Sequence, residues 1–262
     1  MIYSTSLGIF APDAGWTPPI RYLLRRARVL DIVKGLPRGN LLEVGCGAGA
    51  LLCDFDRLGF QTTGLESSES ALAIARTIAT LDQERHTIEE KADESWAERF
   101  TVVCAFDVLE HIEHDSAALE EWNQWLAPGG TMVLSVPAHP QRWGAGDEWA
   151  GHWRRYDRAG LKRLLESQQL DCVHFECYGF PAANLTEWVG EFSYRRMIEE
   201  RGELSKLAAT HASGIDRRDY SRLATLITSL PGRIGLHAAM VIQSLARNTD
   251  WGSGYLIAAR KR

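Results

Sequence analysis

The stretch "LLEVGCGAGALL", Leu41 to Leu52, constrains the fold more than any other. Apolar residues lead through Glu43 to Gly45, Gly47 and Gly49, and apolar residues resume. A buried strand, a tight turn and the first turn of a helix satisfy that pattern, because glycine tolerates backbone conformations other residues avoid. The spacing is G-x-G-x-G, whereas a dinucleotide fingerprint is G-x-G-x-x-G, and no Lys-Ser/Thr pair follows to make a P-loop. Glu43 would repel a pyrophosphate and suits a ligand that carries an ammonium.

Beyond the loop, strands and helices alternate. Leu41–Val44, Gln61–Leu65, Thr87–Lys91, Thr101–Phe106, Thr131–Val136 and Cys172–Tyr178 read as strands. Helices are expected after Gly49, over Ser68–Ala79, over Ser116–Leu126 up to Pro128-Gly129-Gly130, and over Arg158–Ser167. Such alternation predicts a mostly parallel sheet with helices on both faces. Ahead of it, Thr17-Pro18-Pro19 starts an amphipathic helix. Ile20, Leu23, Leu24, Ala27 and Leu30 form its apolar stripe, and Arg21, Arg25 and Arg28 lie mostly on the opposite face. Asp31 breaks the stripe. Pro181–Asp250 reads as wholly helical, an insertion before a last strand in "GYLIAARKR". The expected division is an N-terminal helical lid (1–39), a core (40–180), a helical cap or dimer surface (181–250) and a final core strand (251–262).

Composition narrows the function classes. A net charge of −5 argues against a nucleic-acid binder, which needs clustered basic surface. The five cysteines lack zinc-like spacing and read as small buried residues in a reducing cytosol. The N-terminus lacks a secretory pattern, and Leu223–Ala246 is too interrupted by Pro231, Gly232 and Arg233 to span a bilayer. A cytoplasmic protein is expected.

Acids stand at the ends of successive strands. Glu66 closes "TTGLE" about twenty residues after the glycines, where a carboxylate can accept from both hydroxyls of a ribose. Asp93 follows the third strand, in reach of an adenine amino group. A ligand with an amino-acid end, a ribose and an adenine is S-adenosylmethionine.

"LLEVGCGAGALL", "TTGLESSESALAIAR", "FDVLEHIEHDSAALEEWNQWLAPGG" and "MVLSVPAHP" together resemble the motifs of class I S-adenosylmethionine-dependent methyltransferases. The similarity is greatest to the type 11/12 group that includes ubiquinone-biosynthesis O-methyltransferases, over roughly Asn40 to Phe180 plus the last strand. It implies a Rossmann-like seven-stranded sheet with its last strand antiparallel. It also implies a cofactor site built from Glu43, Gly45, Cys46, Gly47, Gly49, Glu66, Asp93 and Asp107. Thr101 departs from the pattern, where an Asp often stands, at the strand end far from the cofactor.

Chemistry is expected in the loops after the fourth and fifth strands. His111 is the candidate general base or substrate orienter. His114 reads as a solvated residue with Asp115 as helix cap, and a His111/His114 metal site lacks a third ligand, so no metal is expected. In "VPAHPQRWGAGDEWAGHWRRYD", His139, His152, Arg155 and Tyr156 are candidate acceptor-binding residues. The competing reading has Arg154 and Arg155 pinning the loop through Asp147 and Glu148. Tyr22 and Arg26 are expected to point inward from the N-terminal helix.

The function expected is methyl transfer to oxygen or nitrogen of a small molecule such as a natural product, quinone, sugar or lipid-linked acceptor. A non-catalytic S-adenosylmethionine-binding regulator is the alternative. A nucleic-acid methyltransferase is disfavoured by acidity and by "DVLEH" where an Asn/Asp-Pro-Pro-Tyr motif would stand. The insertion is expected to support a homodimer or peripheral membrane contact.

Overall fold

The N-terminal segment forms an element the sequence reading lacked. In the computed structural model, which describes residues 1–83, 86–201, 206, 209–210 and 229–262, β1 (Ile2–Ser4) pairs antiparallel with β2 (Gly8–Phe10). The Trp16 indole N–H, donated to the Ile9 carbonyl at 3.1 Å, ties the following turn to this hairpin.

Helix α1 (Ile20–Val33) starts directly after Pro18-Pro19, whose fixed φ suits a helix entry. Leu23, Leu24 and Leu30 are buried as its stripe requires, and Asp31 turns out to solvent at 57% exposure. The arginines opposite that stripe are not left to solvent. The Arg25 and Arg28 side chains are only 12% and 8% exposed, because Asp107 and Glu176 meet them. A guanidinium leaves water only for such a partner. Tyr22 and Arg26 are buried, and Arg26 grips both Asp54 oxygens at 2.6 Å.

The main sheet comprises β3 (Asn40–Val44), β4 (Gln61–Leu65), β5 (Thr87–Glu89), β6 (Phe100–Phe106), β7 (Leu126–Pro137), β8 (Leu170–Tyr178) and β9 (Gly254–Lys261). Their order is β5-β4-β3-β6-β7-β9-β8, with β9 antiparallel to both neighbours. β7 begins at Leu126, so Pro128-Gly129-Gly130 lies within it rather than before it, beside a register shift at Phe100/Val102. β5 ends at Glu89, short of Lys91. Thr101 is at the start of β6, where its hydroxyl donates to the Asn40 carbonyl.

Further α-helices among the described residues include α2 (Ala50–Arg57), α3 (Glu69–Leu81), α4 (Asp115–Trp125), α5 (Ala145–Ala150), α6 (Arg158–Ser167), α7 (Ala182–Arg201) and α8 (Leu230–Ala246). Asp115 opens α4 rather than capping it, and its carboxylate serves Tyr156 and Arg154 instead. Alternate residues of each strand pack on opposite faces. Leu41, Val102, Val133 and Leu256 meet α1 and α2; Leu42, Val103, Leu134 and Ile257 meet α4 and α6.

The insertion contains α7 and α8. Parts of the expected helical stretch, residues 202–205, 207–208 and 211–228, lie outside the described residues, as does the start of the Leu223–Ala246 run. One face of α7 turns Leu185, Trp188, Val189 and Phe192 outward. All five cysteines are unpaired, four of them buried. Among the described residues no helix is long and apolar enough to cross a membrane.

Candidate active site

The order of the sheet reverses at β3, between β4 and β6, where open α/β sheets place their ligands. The glycine loop lies there. Gly45, Gly47 and Gly49 all have positive φ, at 65°, 55° and 68°. A Cβ on Gly45 would stand 2.6 Å from Val108 Cγ2, so both conformation and space demand glycine. Gly47 has no heavy atom within 4 Å of its Cβ position, which leaves its outer face open to a ligand. The Gly45 and Cys46 N–H groups are spent on the Leu65 carbonyl. The Cys46 thiol is buried against Gly64, so a ligand at this loop meets its backbone rather than its sulfur.

The three acids expected to meet the cofactor are each held differently. Glu43 is buried within β3 and its Oε2 has no partner. Burial lifts its pKa to about 8 against the nearby Arg25 charge, with Asp54 and Glu66 adding repulsion. Glu66 is fixed at the end of β4 by the N–H groups of Gly47 and Ser68, both donating at 2.8 Å. Asp93 is exposed beyond β5, and the Ser95 hydrogen bond lowers its pKa.

Asp107, at the end of β6, has φ 56°, an uncommon conformation for a non-glycine residue. The Ser135 hydroxyl donates to its Oδ1 at 3.0 Å, Arg25 to its Oδ2, and Arg21 Nε stands 3.7 Å away. Burial works to raise its pKa, but the Arg25 and Arg21 guanidiniums hold it down at about 2. Arg21 also grips Glu187 of α7 at 2.7 Å, which joins the N-terminal helix to the insertion above the strand ends.

Behind Asp107, Glu110, His111 and His152 converge, their ligand-type atoms all within 4.8 Å of one another. Glu110 is fully buried with both carboxyl oxygens unpartnered, and burial together with the Asp107 charge pushes its pKa well up. The His111 and His152 rings meet edge to face at 4.6 Å. His111 Nδ1 is 3.0 Å from the Thr210 hydroxyl, and burial, then His152, depress its pKa to about 3. His114 is exposed and does not join this group.

The acceptor candidates separate. His152 and Arg155 are both bound to Asp147. Arg155 thus pins the loop as the competing reading has it, whereas Arg154 pairs with Asp115 rather than Glu148. Tyr156 is buried with its hydroxyl donated to Asp115 at 3.0 Å, which assigns it to anchoring rather than to a pocket wall. His139 is buried with its ring against Tyr255 of β9, and the structure does not bring it to the His111/His152 group. Sequence reading missed Arg21, Arg25, Glu110 and Glu187. Arg21 and Arg25 are four residues apart and so share one helix face, a usable signal. Glu110 was visible only as one of several acids in "FDVLEHIEHD".

These residues fit S-adenosylmethionine. The unpartnered Glu43 carboxyl suits an ammonium, the fixed Glu66 carboxylate suits a ribose, and the open face of Gly47 gives room beside both.

Comparison with known proteins agrees. A family model described as a methyltransferase domain matches residues 20–175. A ubiquinone biosynthesis O-methyltransferase of Bradyrhizobium sp. (strain ORS 278) is 39% identical over 117 residues, covering 43% of this chain and 44% of that protein. The enzyme of the same name from Alkalilimnicola ehrlichii is 34% identical over 119 residues, covering 43% and 47%. The chain therefore spans less than half the length of these curated relatives. Among solved structures, the [4+2]-cyclase SpnF superposes with TM-score 0.59 at 18% identity, covering 99% of this chain and 87% of that one. A putative methyltransferase from Bacillus halodurans gives 0.56 at 14%, covering 90% and 98%. At such identities the likeness is one of fold. The chain belongs to the methyltransferase-domain family, within the class I S-adenosylmethionine-dependent methyltransferases.

Proposed function

We propose that this protein transfers a methyl group from S-adenosylmethionine to oxygen or nitrogen of a small molecule. The observation that carries the reading is the buried Glu43 carboxyl with a free oxygen beneath the glycine loop. Burying a carboxyl without a partner is costly, and a cationic ligand end relieves that cost. Glu66 takes the ribose, Asp93 the adenine edge, and Asp107 with Arg21 and Arg25 the amino-acid end. Residues 1–39 then act as a lid on the core of 40–180, and the insertion closes the acceptor side through Glu187.

When bound, S-adenosylmethionine supplies a methyl carbon on a sulfonium, ready for in-line displacement. The protein's own contribution is to hold the acceptor close, exclude water and accept a proton. The name carried by the curated relatives supports a hydroxyl acceptor.

Parallel calorimetric titrations with S-adenosylmethionine, S-adenosylhomocysteine and NAD test the reading. Binding of the first two and not the third is expected. Binding of NAD alone would overturn the role of Glu43 and the activity with it. A protein that binds both sulfur ligands but methylates nothing in an acceptor screen would be the regulator instead.

A further inference from the structure

The imidazole of His152 is held as a catalytic base is held. Its Nδ1 lies 2.9 Å from Asp147 Oδ1, and Asp147 is itself 1% exposed. That carboxylate cannot turn away. It accepts from the Gly144 N–H at 2.9 Å, and Arg155 Nε reaches both its oxygens at 2.8 Å. Burial opposes its ionisation, but the His152 and Arg155 contacts keep its pKa at about 2. An ionised carboxylate only accepts, so His152 carries its proton on Nδ1 and presents the Nε2 lone pair.

His152 Nε2 is 4.0 Å from Glu110 Oε1, in the group that includes His111 and adjoins Asp107. The alternatives in the same group are weaker. His111 has its Nδ1 beside Thr210 and is depressed to about 3, too weak a base to hold a proton at neutral pH. Glu110 is buried and kept neutral, with no basicity to spend. His152 retains 14% side-chain exposure, against 1% for Glu110, and so has the opening an acceptor needs.

We propose that His152, oriented by Asp147, is the general base of this enzyme and removes the acceptor's hydroxyl or amine proton during transfer. The inference rests on the methyl-transfer reading above. As the acceptor's O–C or N–C bond to the methyl forms, the S–C bond breaks and its electron pair stays on sulfur. The acceptor proton passes to His152 Nε2. The imidazolium so formed lies against ionised Asp147, whose charge stabilises it. Asp147 is a positioning residue, since it acts through the ring. Among the described residues, the charged and titratable groups around that ring include Asp147, Glu110, His111, Arg155, Asp107 and Lys206, whose ammonium donates to the His152 carbonyl.

The test uses the full chain labelled with 15N-histidine, with catechol as the acceptor probe. The spectrum of the cofactor-free protein at neutral pH should show His152 as the Nδ1–H tautomer. Asp147→Asn, whose amide can also donate, should mix the tautomers. His152→Gln should slow turnover about 100-fold, with S-adenosylmethionine affinity within twofold of the parent and the alkaline-rising limb of the pH profile gone. Where Asp147→Asn does not fold, the tautomer and His152→Gln decide alone.

A neutral-pH ring protonated on Nε2 would overturn the proposal. So would turnover of His152→Gln within twofold of the parent. Turnover lost to a chelator and restored by Mg2+ or Zn2+, with the His111 and His152 signals moving together, would assign Glu110, His111 and His152 to a cation and also overturn it. Absence of heat with S-adenosylmethionine would instead sink the methyl-transfer reading, while the tautomer measurement stands by itself.

Discussion

Arg25 donates a hydrogen bond to Asp107, fastening the N-terminal helix to the carboxyl end of the central strand. A helix outside the sheet thereby becomes part of the site. Arg21, one turn earlier on the same face, reaches the same carboxylate and continues to Glu187. Three segments distant in sequence share one charge network, and its centre is the acid read from the sequence as the methionine-end residue.

Removal of Arg25 should therefore weaken both folding and cofactor binding. Asp107 has a folded pKa below its unfolded one, at about 2. Its contribution to stability is present above the unfolded pKa and is lost as pH falls through the folded value. A shift of that size corresponds to about 2 kcal/mol, shared between Arg25 and the other partners. Arg25→Met should lose part of that at pH 7, and its stability should fall less steeply than the parent's between pH 4 and 2. Urea unfolding at both ends of that window measures it. Parallel curves for the two proteins would show that Arg25 does not set the acidity of Asp107.

Glu43 titrates in the opposite sense. Burial raises it to about 8, so at pH 7 it is largely protonated in the free protein. An ammonium beside it favours the carboxylate, and binding should then release nearly one proton. Affinity for S-adenosylhomocysteine should rise with pH below 8, by up to about tenfold per unit. Calorimetry in buffers of different ionisation enthalpy counts the protons. Glu43→Gln should abolish the release, and equal proton counts in both proteins would remove Glu43 from the amine site.

Glu66 presents a different balance, because its two oxygens already accept from Gly47 and Ser68. Glu66→Ala frees both N–H groups, so loss of binding in that variant mixes a missing ribose contact with a loosened loop. Glu66→Gln separates them. The amide retains one acceptor oxygen, and the melting temperature should drop by only a few degrees, about the effect of one weakened hydrogen bond. Cofactor affinity should fall more than tenfold. Unchanged affinity would end the ribose assignment.

The legibility of this chain follows from how local each feature is. The strand–turn–helix at Glu43 to Gly49 is specified within a dozen residues, and its positive φ angles are what the glycines imply. The sheet is similarly plain because buried parallel strands need continuous apolar runs. The partners of the α1 arginines were not legible, because a basic stripe is indistinguishable from a solvated face until its acids are placed. Those acids, Asp54, Asp107 and Glu176, lie between 28 and 148 positions away. Tyr156 is a similar case, since its partner Asp115 was read as a cap, whereas the pairing of Arg155 with Asp147 was already one of the two readings the sequence offered. Spacing reports a face; it does not report what will cover it.

The Arg28–Glu176 pair gives the clearest test of how much such a covered charge matters away from the site. Glu176 is fully buried in β8, and Arg28 reaches both its oxygens at 2.8 Å while His174 adds a contact at 2.9 Å. Burial alone would raise the pKa of Glu176, but Arg28 and then His174 hold it below the usual range. Its stabilisation is thus present above the unfolded pKa and lost in acid. Arg28→Met leaves that carboxylate without its main partner and should cost about 3 to 5 kcal/mol at pH 7. The double variant Arg28→Met/Glu176→Leu buries no charge there and should recover most of the loss. Chemical denaturation of the parent, the single variant and the double variant decides it. A double variant no more stable than the single would mean that shape, rather than charge, fixes α1 against β8.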